Sequence, residues 1–239
     1  MPIQAIEPQR LYRQIAEQLR QLMAEGEFAV GTRLPAEREL ASQLGVSRPS
    51  VREALIALEV EGVIEVRTGS GIYVRQPSES QPPPNPSSNT PADWGPLEVM
   101  SARLVIEAEV AALAARHASR TDRKAIRAAW RQMKQEAAAG QVPRWGDEAF
   151  HEAIASACGN SVLLDTVRRL WQARNGALFE RLGDHFENPD SWQAAIEEHA
   201  LVMQAIEAGD SPGARKAMQR HLRQAHKRYS ASWRRASAR

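Results

Sequence analysis

The chain has 239 residues, 43% of them hydrophobic and 25% charged, and its 31 Lys+Arg against 29 Asp+Glu leave a net charge of +2. That composition excludes bulk disorder, does not by charge alone imply nucleic acid, and offers neither a signal peptide nor the ~18 uninterrupted apolar residues of a spanning helix, so a soluble cytoplasmic protein of two modest domains with no membrane partner is expected. A single cysteine, Cys158, excludes an intrachain disulfide and a Cys-based zinc ribbon, which leaves nitrogen and oxygen as the main donors for any metal.

In chain order, Leu11, Ile15, Leu19 and Leu22 recur at helical spacing and predict a helix that ends before Gly26. A second helix is expected from about Ala36 to Leu44, stopped by Gly45. A third should be capped by Ser47, tolerate Pro49 in its first turn, and turn Val51, Leu55 and Leu58 toward a core. Two β-branched runs, Val63 to Arg67 and Ile72 to Arg75, are joined by Thr68-Gly69-Ser70-Gly71 and read as a hairpin. Three helices and a hairpin over residues 1–75 make a winged helix-turn-helix.

Residues 76–96 hold seven of the fourteen prolines and almost no aliphatic side chain, the composition of a linker. Beyond it, helices are expected at about 97–117, 121–139, 144–158, 161–182, 190–208 and 211–233, punctuated by Gly140, Gly159-Asn160, Gly183 and Gly209-Asp210. The fold class is therefore mainly α, with an all-α antiparallel bundle over 97–239, an architecture that builds ligand and metal sites from facing helices. No acidic residue follows Asp210, so the last helix and tail are basic; a solvated helix face and a nucleic-acid arm are the two readings.

The second helix of a helix-turn-helix enters the major groove, so its exposed N-terminal residues should be polar or basic. Ser47, Arg48, Ser50 and Arg52 meet that need: arginine can bridge guanine O6 and N7, and serine or a helix N-terminus can hold phosphate. Arg38 on the preceding helix and Gly69 at the hairpin tip are placed to meet the backbone and minor groove. Against this, the nine Arg of residues 1–75 are matched by ten Glu, and the same arginines can pair with Glu37, Glu39 and Glu53 on a merely solvated bundle.

In the second domain Asp147 and His151 share one face of a predicted helix, as two ligands of one ion must. His199 and His221 fall on two other helices, and spacing alone does not bring them together. Arg103 stands four residues before Glu107, the spacing of an exposed helix pair worth only ~0.3–0.5 kcal/mol. Trp145, Trp171, Trp192, Arg174 and Asn175 either line a cavity or pack the bundle.

Residues 10–75, with Gly31-Thr-Arg-Leu-Pro-Ala-Glu-Arg-Glu-Leu-Ala, Leu44-Gly-Val-Ser-Arg, Val51-Arg-Glu-Ala-Leu and Thr68-Gly-Ser-Gly-x-Tyr-Val74, resemble the GntR family of bacterial transcription factors. The resemblance implies that Arg38, Ser47, Arg48, Ser50, Arg52 and Gly69 contact operator DNA; Pro49 stands where a contacting threonine often stands. Residues 97–230 are similar to the FCD effector domain of the FadR subfamily, through Glu98, Arg103, Glu107, Asp147-x-x-Phe-His151, Gly159-Asn160, Glu198-His199 and Met218-x-x-His221. That likeness implies a divalent ion, Zn, Ni or Mn, on Asp147, His151, His199 and His221, and an effector carboxylate on Arg103. The stretch from Trp94 to Ala115 is similar to the regulators of hexuronate and related sugar-acid use.

The function expected on these grounds is a homodimeric transcriptional regulator, a repressor of a catabolic operon, that leaves double-stranded operator DNA in response to a small organic or sugar acid. The alternative is a metal-dependent enzyme whose ion activates water. No motif such as HExxH supplies the general base that such an enzyme needs.

Overall fold

The structure, a computed structural model, describes residues 10–67, 69–76, 91 and 94–230. Most of the 76–96 linker, Thr68 in the hairpin turn, and Arg234, Arg235 and Arg239 of the basic tail lie outside the described residues. In chain order the elements are α1 (Leu11–Ala24), α2 (Glu37–Leu44), α3 (Arg48–Val60), β1 (Ile64–Arg67), β2 (Gly71–Val74), α4 (Pro96–His117), α5 (Arg120–Ala138), α6 (Arg144–Ser156), α7 (Ser161–Gln172), a 3₁₀ turn (Ala173–Asn175), α8 (Ala177–Phe186), α9 (Pro189–Glu207) and α10 (Ser211–Tyr229). No described helix is long and apolar enough to cross a membrane.

Two compact units form: the described part of Met1–Pro96 with Gly176–His185, and Leu97–Asn175 with Phe186–Ser230. In the first, Tyr12, Ile15, Ala16 and Leu19 of α1 pack on Val51, Leu55 and Leu58 of α3. The expected stripe is shifted at its start, since Leu11 is 49% exposed and Tyr12 takes the inner position. Gly45 ends α2 at φ 65, the left-handed conformation that glycine adopts without cost, and Ser47 Oγ caps α3 by accepting from the Ser50 amide at 3.2 Å.

The hairpin pairs Ile64 with Val74 and Arg67 with Gly71, and the Leu34 amide donates to Ile72 O at 2.8 Å, which ties the segment before α2 to the wing. Glu59, in the last turn of α3, joins three elements. Its Oε1 accepts from the Val66 amide of β1 at 3.1 Å and from Arg181 of α8 at 2.8 Å, and its Oε2 pairs with His185 Nε2 at 2.6 Å.

The second unit is helical throughout: α5 packs on α6 and α9, and α9 on α10. Its helices start where side chains satisfy orphan amides. Ser119 and Asp122 form a capping box, Asn160 accepts from the Val162 and Leu163 amides, and Asp210 accepts from Gly213. A β-carbon on Gly146 would lie 2.5 Å from the Met133 amide nitrogen, so the absence of a side chain there is what lets α6 close on α5. The next residue is Asp147.

One expected helix, 161–182, is two. The 3₁₀ turn at Ala173–Asn175 and Gly176 break it, and Gly176–His185 then belong to the first unit.

Candidate metal centre and DNA-reading face

Asp147 and His151, one turn apart on α6, meet His199 of α9 and His221 of α10 in the interior of the second unit. All four are buried, and one donor atom from each lies within 4.8 Å of the others. His151 Nε2 is 3.1 Å from His199 Nε2, and Asp147 Oδ1 is 3.0 Å from His199 Nε2 and 3.6 Å from His151 Nε2.

The outward nitrogens decide what these atoms are. His151 Nδ1 faces Glu107 Oε2, His199 Nδ1 donates to Ala195 O at 2.6 Å, and His221 Nδ1 donates to Glu198 Oε2 at 2.9 Å. An imidazole that keeps its proton on Nδ1 turns a lone pair inward on Nε2, so the tautomers follow from the partners. Asp147 Oδ1 is accordingly buried without a hydrogen bond despite its 3.0 Å approach to His199. Protons held on the three Nδ1 atoms leave three Nε2 lone pairs and one carboxylate oxygen converging. Such a set is mutually repulsive unless a cation sits among it, and three imidazoles with one carboxylate suit a first-row divalent metal.

The surrounding groups hold these side chains in place by bonding the atoms that face away from the cluster. Glu107 takes Arg103 Nε at 2.6 Å on one oxygen and His151 on the other. Burial alone would raise the Glu107 carboxyl, but Arg103 and then His151 pull it far below the usual carboxylate range. Asp147 Oδ2 accepts from Arg174 Nη1 at 2.8 Å, and Arg174, followed by His199, overcomes burial to hold that carboxyl well below its ordinary value. Burial first, then the neighbouring imidazoles, push His221 well down, toward the neutral form that a ligand needs. Both guanidiniums stack on one ring: Arg103 lies 4.2 Å and Arg174 4.5 Å from the Trp171 centroid.

A partly open cavity adjoins the cluster. Arg103, Asp147, Arg174, His199 and His221 line it, together with Glu187, Ser191, Trp192, Arg228 and Tyr229. Arg103 is thus no surface residue, and its pair with Glu107 is buried. Trp171 is buried against the arginines and Trp192 lines the cavity, but Trp145 is 74% exposed and Asn175 is also exposed. Glu187, Arg228 and Tyr229 escaped the sequence reading. No spacing signals them, since Glu187 sits between helices and Tyr229 in the final turn of α10.

In the first unit, Ser47, Arg48, Ser50 and Arg38 lie at the N-terminal end of α3 and on α2, with Ser47, Arg48 and Arg38 exposed, and Gly69 is exposed in the hairpin turn at φ 76. Arg52 is placed differently from Arg48. It is 1% exposed and its guanidinium is committed to Glu37, with Nε at 3.0 Å and Nη2 at 2.7 Å from Oε2. The reason is α2, which places Glu37 beneath the one face of α3 that carries both arginines. Arg48, 48% exposed, reaches the same carboxylate at 3.2 Å from its outer side. Arg52 as placed is a strut between α2 and α3.

Residues 98–224 match the FCD domain, and residues 11–74 match the bacterial regulatory proteins of the gntR family. The Uxu operon transcriptional regulator of Escherichia coli (strain K12) is 37% identical over 91% of this chain and 86% of its own length. The Exu regulon transcriptional regulator of the same strain is 37% identical over 90% of this chain and 83% of its own. Among solved structures, E. coli McbR/YncC superposes with a TM-score of 0.50 at 22% identity, covering 92% of this chain and 97% of that one, which is a likeness of fold. These relatives are regulators, not enzymes.

Proposed function

The chain belongs to the gntR family of bacterial regulatory proteins and carries an FCD domain, and from that premise we propose that it is a cytoplasmic, homodimeric repressor of a catabolic operon, released from its operator by a small carboxylate that binds beside a divalent metal. One observation carries the reading: four buried acceptors converge next to a cavity in the unit that does not hold the helix-turn-helix.

Asp147, His151, His199 and His221 would hold the ion, with Zn, Ni and Mn all compatible with these donors. Bound there, it would supply a Lewis-acid site for a carboxylate oxygen. Glu107, Glu198 and the Ala195 carbonyl fix the three imidazole rings, and Arg103, stacked on Trp171, presents a guanidinium edge to the same cavity. On the other unit, Arg48, Ser47, Ser50 and Arg38 meet the operator and Gly69 brings the wing to its backbone. A dimer would set two such units at one half-site spacing, and an acid that binds one spacing better than another would shift the population. The names of the Uxu and Exu regulators point toward sugar-acid operons.

The test begins with elemental analysis of full-length protein purified without chelator. Operator selection from random duplexes follows, then release of the selected DNA by glucuronate, galacturonate and aldonates. Stoichiometric metal, a chelator-sensitive thermal midpoint that is insensitive in His199→Ala, and release by a sugar acid are expected. An ion that binds only the folded chain adds ~2.7 kcal/mol at a hundred times its Kd. Absence of metal with no thermal shift on adding Zn, Ni or Mn would overturn the reading.

A further inference from the structure

Glu37, the first residue of α2, stands between two arginines of α3. Its Oε1 accepts from Arg48 Nε at 3.2 Å and from Arg52 Nη2 at 2.8 Å, and its Oε2 accepts from Arg52 Nε at 3.0 Å and Nη2 at 2.7 Å. Arg48 and Arg52 are one turn apart on one helix face, a spacing at which like charges repel. One buried carboxylate offsets that repulsion for both.

The two arginines are not held alike. Arg52 is gripped along its Nε–Nη2 edge and is itself buried. Arg48 is exposed and is touched at Nε alone; among the described residues its Nη1 and Nη2 have no hydrogen-bond partner. A guanidinium has two edges that make paired hydrogen bonds, Nε with Nη2 and Nη1 with Nη2. The second is the edge that Arg48 keeps available, and guanine O6 with N7 is an acceptor pair that it matches.

A restrained cation and a loose one act differently toward DNA. A loose arginine swings to whichever phosphate lies nearest, and phosphates are alike on every sequence. Held at Nε, Arg48 loses that reach, and a phosphate drawn to it also approaches the carboxylate of Glu37. Its fork is set in place beforehand, so less side-chain freedom is lost when a guanine edge meets it. We infer that Glu37 is a specificity-determining residue of the DNA-reading face, holding Arg48 at Nε so that the Nη1–Nη2 fork meets a guanine edge in preference to a phosphate. This rests on the proposed entry of α3 into the major groove and names the residue that sharpens its readout.

The test is fluorescence anisotropy of the full-length chain across a salt series, with two duplexes: the one that wild type selects from random sequence, and a scrambled duplex of the same length and composition. Wild type, Glu37→Gln, Arg48→Ala and the double variant are compared. Glu37→Gln is expected to bind the scrambled duplex more tightly, with a salt slope steeper by up to about one, because the freed arginine then neutralises a phosphate. Its preference for the selected duplex should fall about three- to tenfold. In the Arg48→Ala background the same substitution should leave the preference unchanged to within about twofold. Equal losses in both backgrounds would mean that Glu37 acts only by bracing Arg52, and an undiminished preference in Glu37→Gln would mean that it restrains nothing. Either result overturns the inference while leaving α3 as the reading helix. A neutral amide does not balance the buried Arg52 guanidinium, so Glu37→Gln/Arg52→Met is also compared with Arg52→Met, and the same loss of preference is expected there. A wild type that does not distinguish the two duplexes overturns the DNA reading itself.

Discussion

His221 and Glu198 are joined by a 2.9 Å hydrogen bond from Nδ1 to Oε2, and the same carboxylate takes Arg228 Nη1 and Nη2 at 3.1 and 3.2 Å. One acidic side chain thus orients a proposed metal ligand and anchors an arginine of the cavity wall. Glu198→Gln keeps the shape and removes the charge, so His221 exchanges a charge-assisted partner for a neutral amide acceptor. Metal affinity is expected to fall ~10–100-fold, the usual cost of losing such a partner, read by competition against a chromophoric chelator. Unchanged affinity would mean that Glu198 serves Arg228 alone.

Arg48 and Arg52 should separate. Arg48→Ala removes a half-exposed guanidinium at the start of α3, and a lost bidentate base contact costs ~1–3 kcal/mol of operator affinity with a normal thermal midpoint. Arg52→Ala instead leaves Glu37 without its fork in a buried site, so the midpoint itself should drop, toward the ~3–5 kcal/mol of a broken buried pair, reduced by whatever Arg48 recovers. Equal DNA defects at unchanged stability in both variants would restore Arg52 to the groove.

Much of this was legible because it is local. Gly45, Ser47 and Pro49 mark the turn and the start of α3 within five residues, and Asp147 and His151 share a helix face by spacing alone. What spacing does not carry is partnership across elements. Arg52 looks equivalent to Arg48 one turn earlier until α2 brings Glu37 beneath it. The break after Gln172 is masked because apolar residues continue at helical intervals through Val167, Trp171, Phe179 and Leu182, and only a short polar turn with Gly176 interrupts them. Glu187 and Tyr229 meet across 42 residues with no pattern to announce them.

Acid should weaken the Glu59 junction. Burial alone would raise its carboxyl, but hydrogen bonds from His185 and Arg181 hold it below its ordinary value. The unfolded chain, with a carboxyl near ~4.3, then binds more protons than the folded one in acid. The stabilisation is fully present above that value and disappears as the pH falls through the lower, folded value. Glu59→Gln should cost ~1–3 kcal/mol at pH 7, where it strips a buried acceptor of its charge-assisted bonds, and visibly less at pH 4. Urea midpoints of both proteins at the two pH values make the comparison; a constant gap would show that the charge of Glu59 contributes nothing.

Arg103 is the residue on which sensing should turn. It is buried, lies over Trp171 and holds Glu107, so its guanidinium is fixed in place where it lines the cavity. Arg103 is buried in the unit that does not hold α3. Arg103→Ala should therefore retain operator affinity while losing a charge-assisted contact in a partly desolvated cavity, typically ~2–5 kcal/mol, which raises the acid concentration for release at least about tenfold. Arg103→Lys keeps the charge but not the planar fork and should recover only part of the response. Because Glu107 also steadies His151, Zn affinity is measured in both variants, and a loss of release with intact Zn binding assigns the defect to the acid. Release of wild type and Arg103→Ala at the same acid concentration would reduce Arg103 to a structural partner of Glu107 and Trp171.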